Sequence, residues 1–468
     1  MKFLQTALLQ ICFFYITACA DKQPSPGDTS VQADTAASRA VSFTPDTFPV
    51  RKLLEHIACK NDATQSYSLY IPSGKTNAVI YFFDPHADGA LPLEKYKALA
   101  DACNFILIGS NNSKNGNDFE TAEKIWEALF NDTQSRLQLN KSRIYVCGFS
   151  GGAKVAGYLA LHHPEIKAVI AGGAGLPDGT PASNFNFSFT GIAGKGDMNM
   201  TDLVTLNNDL DKTQIKHRLI LFNGKHAWCP ESTMGIAFAG LDFDAMRNHD
   251  FPKNDSIIHA FISNSKKRID AAIQKNDYIQ ASNECALAMN MLDGLTDIAF
   301  FKQKNNSIVN DAAYKNQWQQ QQQLFAIEQN KKAEYNAQFQ QGDMNYWNKT
   351  ISDLNAKAKD ATPEAAMNQR LLAYLSLAFY SISNQLVNQN QNDAAGYFVS
   401  LYKMADPTNS EAWYFSAILN ARNNNAKAAH DDLVKAVSNG FNDKARMMQQ
   451  PEFIKLQPQI NLPLIPGP

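Results

Sequence analysis

The chain has 468 residues, more than one ordinary hydrophobic core accommodates, so two folded units and an additional segment are expected. Apolar residues make up 44% and charged residues 19%, a globular balance, and the net charge is −2. That charge, with no block of basic residues, argues against nucleic acid as the main partner.

Residues 1–18 read as a leader. Met1-Lys2 is a short positive start, and 4–16 is apolar but too short to span a bilayer comfortably. The leader ends in Ile16-Thr17-Ala18-Cys19, which resembles a bacterial lipobox. Cleavage before Cys19 would leave a diacylated N-terminal cysteine, placing the protein in the bacterial cell envelope on the periplasmic or outer face. The alternative is a plain secretory signal. Residues 19–45, rich in Asp, Ser, Thr, Ala and Pro, read as a solvated tether. Of the seven cysteines, Cys12 leaves with the leader and Cys19 carries the lipid. Cys59, Cys103, Cys147, Cys229 and Cys285 remain. They allow at most two disulfides and leave one thiol. None has the paired spacing of a zinc site, so no metal is expected.

Residues 46–255 read as one unit, in which short apolar runs alternate with amphipathic ones from about 65 to 225. Strands are predicted at 67–71, 78–83, 105–109, 143–148, 168–171, 187–193 and 218–222. Helices are predicted at 93–103, 119–130, 153–162 and 201–211. This alternation predicts an α/β fold with a mostly parallel sheet covered on both faces. From about 260 the strand signal ends and apolar residues recur at helical spacing. Gln319–Gln323 is followed by Leu324, Phe325 and Ile327, which favours a solvated helical face over a disordered tract. Near the end, Trp413, Ala417, Ala429, Leu433 and Ala436 fall where 34-residue tetratricopeptide repeats place packing residues, counting from Pro407. Ala395, Val399 and Pro407 repeat the grammar more weakly. Small residues would let helices approach while Trp413 fills the space between them. Residues 260–468 therefore read as an all-α, tetratricopeptide-like unit.

The chemistry concentrates in Gly148-Phe149-Ser150-Gly151-Gly152. A predicted strand leads in and a predicted helix leads out, the context a G-x-S-x-G nucleophile requires. Its partners should follow in the order acid, then histidine. Downstream, His162 and His163 end the next helix and His217 opens a strand. His226 alone lies in a loop just after a strand, in "FNGKHAWCP", suited to a base at the sheet's carboxyl edge. Asp197 in "GKGDMNM" is the favoured acid. Asp202 falls inside a predicted helix, and Asp178 after the preceding strand is the alternative. The oxyanion should meet the N–H of Gly151 and a second donor from "DPHADG". Pro85 has no N–H. His86 is then the first donor available and Ala87 the second, and the His86 side chain could instead touch substrate. Trp228 offers a stacking surface for an acyl or aryl group.

On "GFSGG", "GKGD" and "GKHAW", residues 60–250 resemble the α/β-hydrolase superfamily, within it the secreted esterase and polyhydroxybutyrate-depolymerase-like group. "GFSGGAK" also resembles dienelactone hydrolases and prolyl-oligopeptidase-like peptidases. The resemblance implies a Ser150–Asp197–His226 triad and acyl transfer to water, without a cofactor, on a small-molecule or polymeric ester. Two other readings stand beside it. One is a serine peptidase. The other is a degenerate hydrolase scaffold whose helical half binds a protein or glycan.

Overall fold

The computed structural model describes residues 46–74, 76–181 and 185–456. The leader, Cys19 and most of the tether lie outside them.

In chain order the first part comprises β1 (Leu54–Ala58), β2 (Ser66–Tyr70), β3 (Val79–Phe83), α1 (Ala90–Cys103), β4 (Ile106–Ser110), α2 (Phe119–Arg136), β5 (Ile144–Phe149), α3 (Gly151–His162), β6 (Ile166–Gly172), β7 (Ser188–Gly194), α4 (Met200–Leu210), β8 (His217–Phe222) and α5 (Glu231–Arg247). The strands form one sheet in the order β1-β2-β4-β3-β5-β6-β7-β8. The β2 strand is antiparallel to β1 and β4, and every later pairing is parallel. Alternation explains why the central strands are apolar throughout. Ile80 and Phe82 face a core shared with Tyr96 of α1 and Phe238 of α5. Val79, Tyr81 and Phe83 face the opposite core, with Trp126 of α2 and Leu159 of α3. All seven predicted strands and four predicted helices are present. β1 is an edge strand with an irregular register against β2 and little burial, so it lacks the pattern that marks the others.

The helical part comprises α6 (Asp255–Gln274), α7 (Tyr278–Leu292), α8 (Ala299–Asn310), α9 (Ala312–Gln341), α10 (Met344–Lys357), α11 (Pro363–Asn388), α12 (Asn392–Ala405), α13 (Ser410–Arg422), α14 (Ala426–Ser438), α15 (Lys444–Gln449) and α16 (Pro451–Leu456). Several starts are capped by side chains: Asn254 on α6, Thr362 with Pro363 on α11, and Asn409 on α13. The apolar packing does not divide at 255–260. Ile258 and Phe261 of α6, Met291 of α7 and Ile308 of α8 belong to the same core as Ile80 and Phe82. Arg218 of β8 adds a polar tie, buried against Asp244 of α5 and Met291 of α7. A separate core begins at Tyr335 of α9 and runs to Leu456. The 30-residue α9 joins the cores: Tyr314 touches the first, Phe325 the second sheet face, and Tyr335 and Phe339 the helical core.

Within α13 and α14, Ala417, Ala429, Leu433 and Ala436 are fully buried. Trp413 packs against this core only in part. It is half-buried, its Nε1–H donates to the Pro407 carbonyl at 2.8 Å, and the Lys403 ammonium lies 4.1 Å from its ring centre. Tyr414, one position on, takes the buried place. The five cysteines among the described residues are unpaired, and burial pushes the Cys59, Cys229 and Cys285 thiols up to about 11. Among the described residues no helix is long and apolar enough to cross a membrane.

The continuity of the first core makes a truncation prediction. A chain ending at 255 should bind a hydrophobic dye and melt without a cooperative transition, because Phe243 loses the Phe261 ring of α6 and buried Arg218 loses Met291 of α7. A chain ending at 311 should keep the sheet unit's cooperative melt. Equal cooperativity for the two would contradict this packing.

Candidate active site

The site begins with a backbone constraint. Ser150 sits between β5 and α3 at φ 53°, ψ −120°, a left-handed conformation that side chains other than glycine rarely adopt. Its N–H donates to the Gly172 carbonyl at 2.7 Å, and its own carbonyl starts α3 by accepting from Ala153. The flanking glycines are required by space. A Cβ on Gly148 would lie 2.0 Å from the Gly152 oxygen, and one on Gly152 would lie 2.0 Å from the Phe83 oxygen. The turn is so tight that strand, helix and neighbouring strand meet backbone to backbone, which lifts Ser150 Oγ above the sheet edge.

His226 follows β8, and its Nε2 lies 3.0 Å from Ser150 Oγ. Its Nδ1 lies 2.9 Å from Asp197 Oδ2. Asp197 is buried, and its other oxygen, Oδ1, accepts the Asn199 N–H at 2.9 Å. The two loops are laced together: Lys195 N–H donates to Phe222 and Gly196 N–H to Gly224, both at 2.8 Å. The imidazole packs on the Phe149 ring, with centres 4.7 Å apart. Gly173 (φ 65°) makes room for it, since a Cβ there would lie 2.9 Å from His226 Cε1. The residues expected together from the sequence, Ser150, Asp197 and His226, thus form one hydrogen-bonded chain.

The rejected candidates have other partners. Asp178 is exposed and pairs with Lys154 at 2.9 Å. Asp202 lies on α4 with its side chain exposed. His217 meets Asp211 at 2.9 Å, His163 meets Glu123, and His162 meets the Tyr158 carbonyl.

One expectation needs correction. Gly151 opens α3, where the first N–H groups have no acceptor within the helix, as an oxyanion donor requires. The His86 N–H is turned away, donating to Asp84 Oδ1 at 2.8 Å, and the Ala87 N–H donates to the Asp84 carbonyl at 3.3 Å. The reason is local: an aspartate captures the N–H two residues on. The Asn115 amide lies against Gly151, where a Cβ would sit 1.9 Å from its Oδ1. Its loop is tied to the turn by Asn115 N–H donating to the Pro85 carbonyl at 2.8 Å. Trp228 is half-buried and lines the cavity beside the Ser150 turn with Gly148 and Phe149. Its Nε1–H donates to the buried Asp84 at 2.8 Å, and its ring packs among Phe82, Tyr96 and Phe149. Asp84, Asn115, Gly173 and Asn199 were not anticipated. An aspartate directly after an apolar strand, in "YFFDPH", was the available signal for the first. The others depend on contacts across the fold.

The His86 imidazole projects outward, and hydrogen bonding to Asp84 lifts it above its ordinary value, with Glu411 of α13 adding to the effect.

No family model and no curated protein matches the sequence. Solved structures do match it. A Francisella virulence factor, BioJ, is 13% identical, with 38% of this chain and 78% of that chain covered and a TM-score of 0.32. A carboxylesterase from Mesorhizobium loti is 15% identical, covering 39% and 96%, with a TM-score of 0.32. A dienelactone hydrolase from Anabaena variabilis is 17% identical, covering 40% and 93%, with a TM-score of 0.30. Within this chain itself, the mostly parallel sheet and the strand–turn–helix carrying Ser150 have the architecture of the α/β-hydrolase fold.

The elbow predicts its own sensitivity. Gly152→Ala should destabilise the protein by about 3 kcal/mol through overpacking against backbone that cannot yield. Denaturant unfolding checks it, and a change within 0.5 kcal/mol, about that of an ordinary surface substitution, would contradict the tight approach.

Proposed function

We propose that the protein is a serine hydrolase that cleaves carboxylic esters through an acyl-enzyme. The observation that carries this reading is the continuous chain Asp197–His226–Ser150, at 2.9 and 3.0 Å, ending on a serine held in a left-handed turn. Ser150 Oγ attacks the ester carbonyl while His226 Nε2 takes its proton. The negative oxygen of the tetrahedral intermediate meets the Gly151 N–H, and the second donor is Asn115 Nδ2, which requires the amide to rotate from the orientation in which Oδ1 lies against Gly151. His226 returns the proton to the departing alcohol. Water, deprotonated by the same histidine, then releases the acid. Asp197 holds the imidazole with Nδ1–H toward the carboxylate and stabilises the imidazolium. The complete chain favours this reading over a degenerate scaffold. A peptide bond is the alternative substrate.

We also propose that Cys19 carries a lipid, anchoring the enzyme to the bacterial envelope, and that the paired helices α11–α14 are tetratricopeptide-like. The Ile16-Thr17-Ala18-Cys19 pattern and the helix-pair packing support these two readings. Cys19→Ser should leave the precursor uncleaved or release the protein from membranes, and normal processing with retention would refute the anchor.

On short p-nitrophenyl esters, Ser150→Ala and His226→Ala should each lower kcat by roughly 10⁴-fold or more, and the double variant should be no worse than either. Asp197→Asn should cost a similar factor or less. Asn115→Ala should lower kcat by about 10²- to 10³-fold, the usual cost of one oxyanion donor. Asp178→Asn and His217→Ala should change little. Full hydrolysis by Ser150→Ala would sink the proposal.

A further inference from the structure

The loop that carries Asp197 is gripped from outside the sheet unit. Residues 194–199 hold two glycines, and the β8 loop supports one side. The other side meets α9 and α11. Arg370 of α11, only 3% exposed, donates from Nη1 to the Lys195 carbonyl at 2.7 Å. Its Nε and Nη2 both donate to Glu328 Oε2 of α9, at 2.8 and 2.6 Å. Glu328 is fully buried, and its other oxygen pairs with Lys332 at 3.1 Å. The Lys332 Nζ in turn reaches the Met198 carbonyl at 3.4 Å. Between these two contacts, Gln369 lies so close to Gly196 that a Cβ there would meet its Oε1 at 2.5 Å. The residues before and after Asp197 are therefore each held by a cation of the helical part.

We propose that Arg370, Glu328 and Lys332 form a positioning clamp that holds Asp197 in register with His226, so that the helical part completes the active site rather than acting as an attached binding module. The inference rests on Asp197 being the acid of the proposed mechanism. Three physical points carry it. A buried Arg–Glu pair is a poor source of stability, because desolvation offsets its attraction, and its best-attested use is to fix one geometry. The planar guanidinium spans two acceptors at once, a carboxylate and a carbonyl, which a lysine ammonium matches poorly. Orientation in an active site is also steep: a misplacement near 1 Å costs about 100-fold. Arg370 touches no reacting atom and acts through the Lys195 carbonyl and Asp197.

The test uses the full chain. Arg370→Met combined with Glu328→Met removes both buried charges at similar volume. Arg370→Lys keeps the charge and loses the fork. Leu433→Ala, in the helical core away from the loop, controls for general destabilisation. Two readouts are taken at matched fractions folded: ester turnover, and the proton NMR signal of His226 Nδ1–H, which its bond to Asp197 shifts downfield. The clamp predicts a fall in kcat of about 10- to 100-fold with KM little changed, and a weakened or exchange-broadened Nδ1–H signal. Leu433→Ala should lower Tm and leave both readouts as in the parent. A folded double variant with parental kcat and signal overturns the clamp. If the double variant does not fold, Arg370→Lys decides by the same criteria. If the parent lacks esterase activity but its Nδ1–H signal is lost in the variants, the clamp stands and the hydrolase reading falls. If the parent is active and the variants match it in both readouts, the reverse holds.

Discussion

The arrangement depends on one residue held where residues of its kind rarely rest. Ser150 at φ 53° is strained, and the strain persists because its surroundings over-determine it. The Gly172 carbonyl takes its N–H, α3 starts on its own carbonyl, and Gly148 and Gly152 bring three backbone segments too close for any Cβ. A relaxed turn would point Oγ along the sheet instead of above its edge. The position of His226, and through it of Asp197, has meaning only against that fixed oxygen.

The rest of the fold supplies rigid neighbours for loops that would otherwise be soft. The acid loop and the histidine loop are stitched by two backbone hydrogen bonds. The histidine loop is further tied by Trp228 to Asp84, and that carboxylate also shapes the turn after β3. One buried carboxylate thus organises both the oxyanion side and the base side of the site. The helical part belongs to the same construction. Its first helices complete the core under the sheet, α9 crosses to the second core, and the clamp from α9 and α11 meets the flanks of Asp197.

Legibility in the sequence followed the range of the interactions. The central strands were readable because burial on both faces leaves runs such as Val79–Phe83 with no polar interruption. The order of Ser150, Asp197 and His226 was readable because each lies at the end of such a run, where the chain must leave the sheet. β1 was not, since its edge position asks for little burial. The shared core across 255–260 was not readable for a related reason: local pattern does not show that the helices after it face the same core as the sheet. The second oxyanion donor was misassigned because the sequence names a free N–H at His86 without showing that Asp84 accepts it. The Arg370 contact to Lys195 spans 175 positions and leaves no local pattern at either end.

The central claim is that Ser150 is an activated nucleophile. The most direct measurement is intact-mass and peptide analysis after treatment with a fluorophosphonate, which forms a stable phosphoryl ester with such a serine. One adduct per chain is expected, on the peptide containing Ser150, formed orders of magnitude more slowly in His226→Ala. No adduct on the folded protein, or an adduct on another residue at the parental rate in Ser150→Ala, would contradict it.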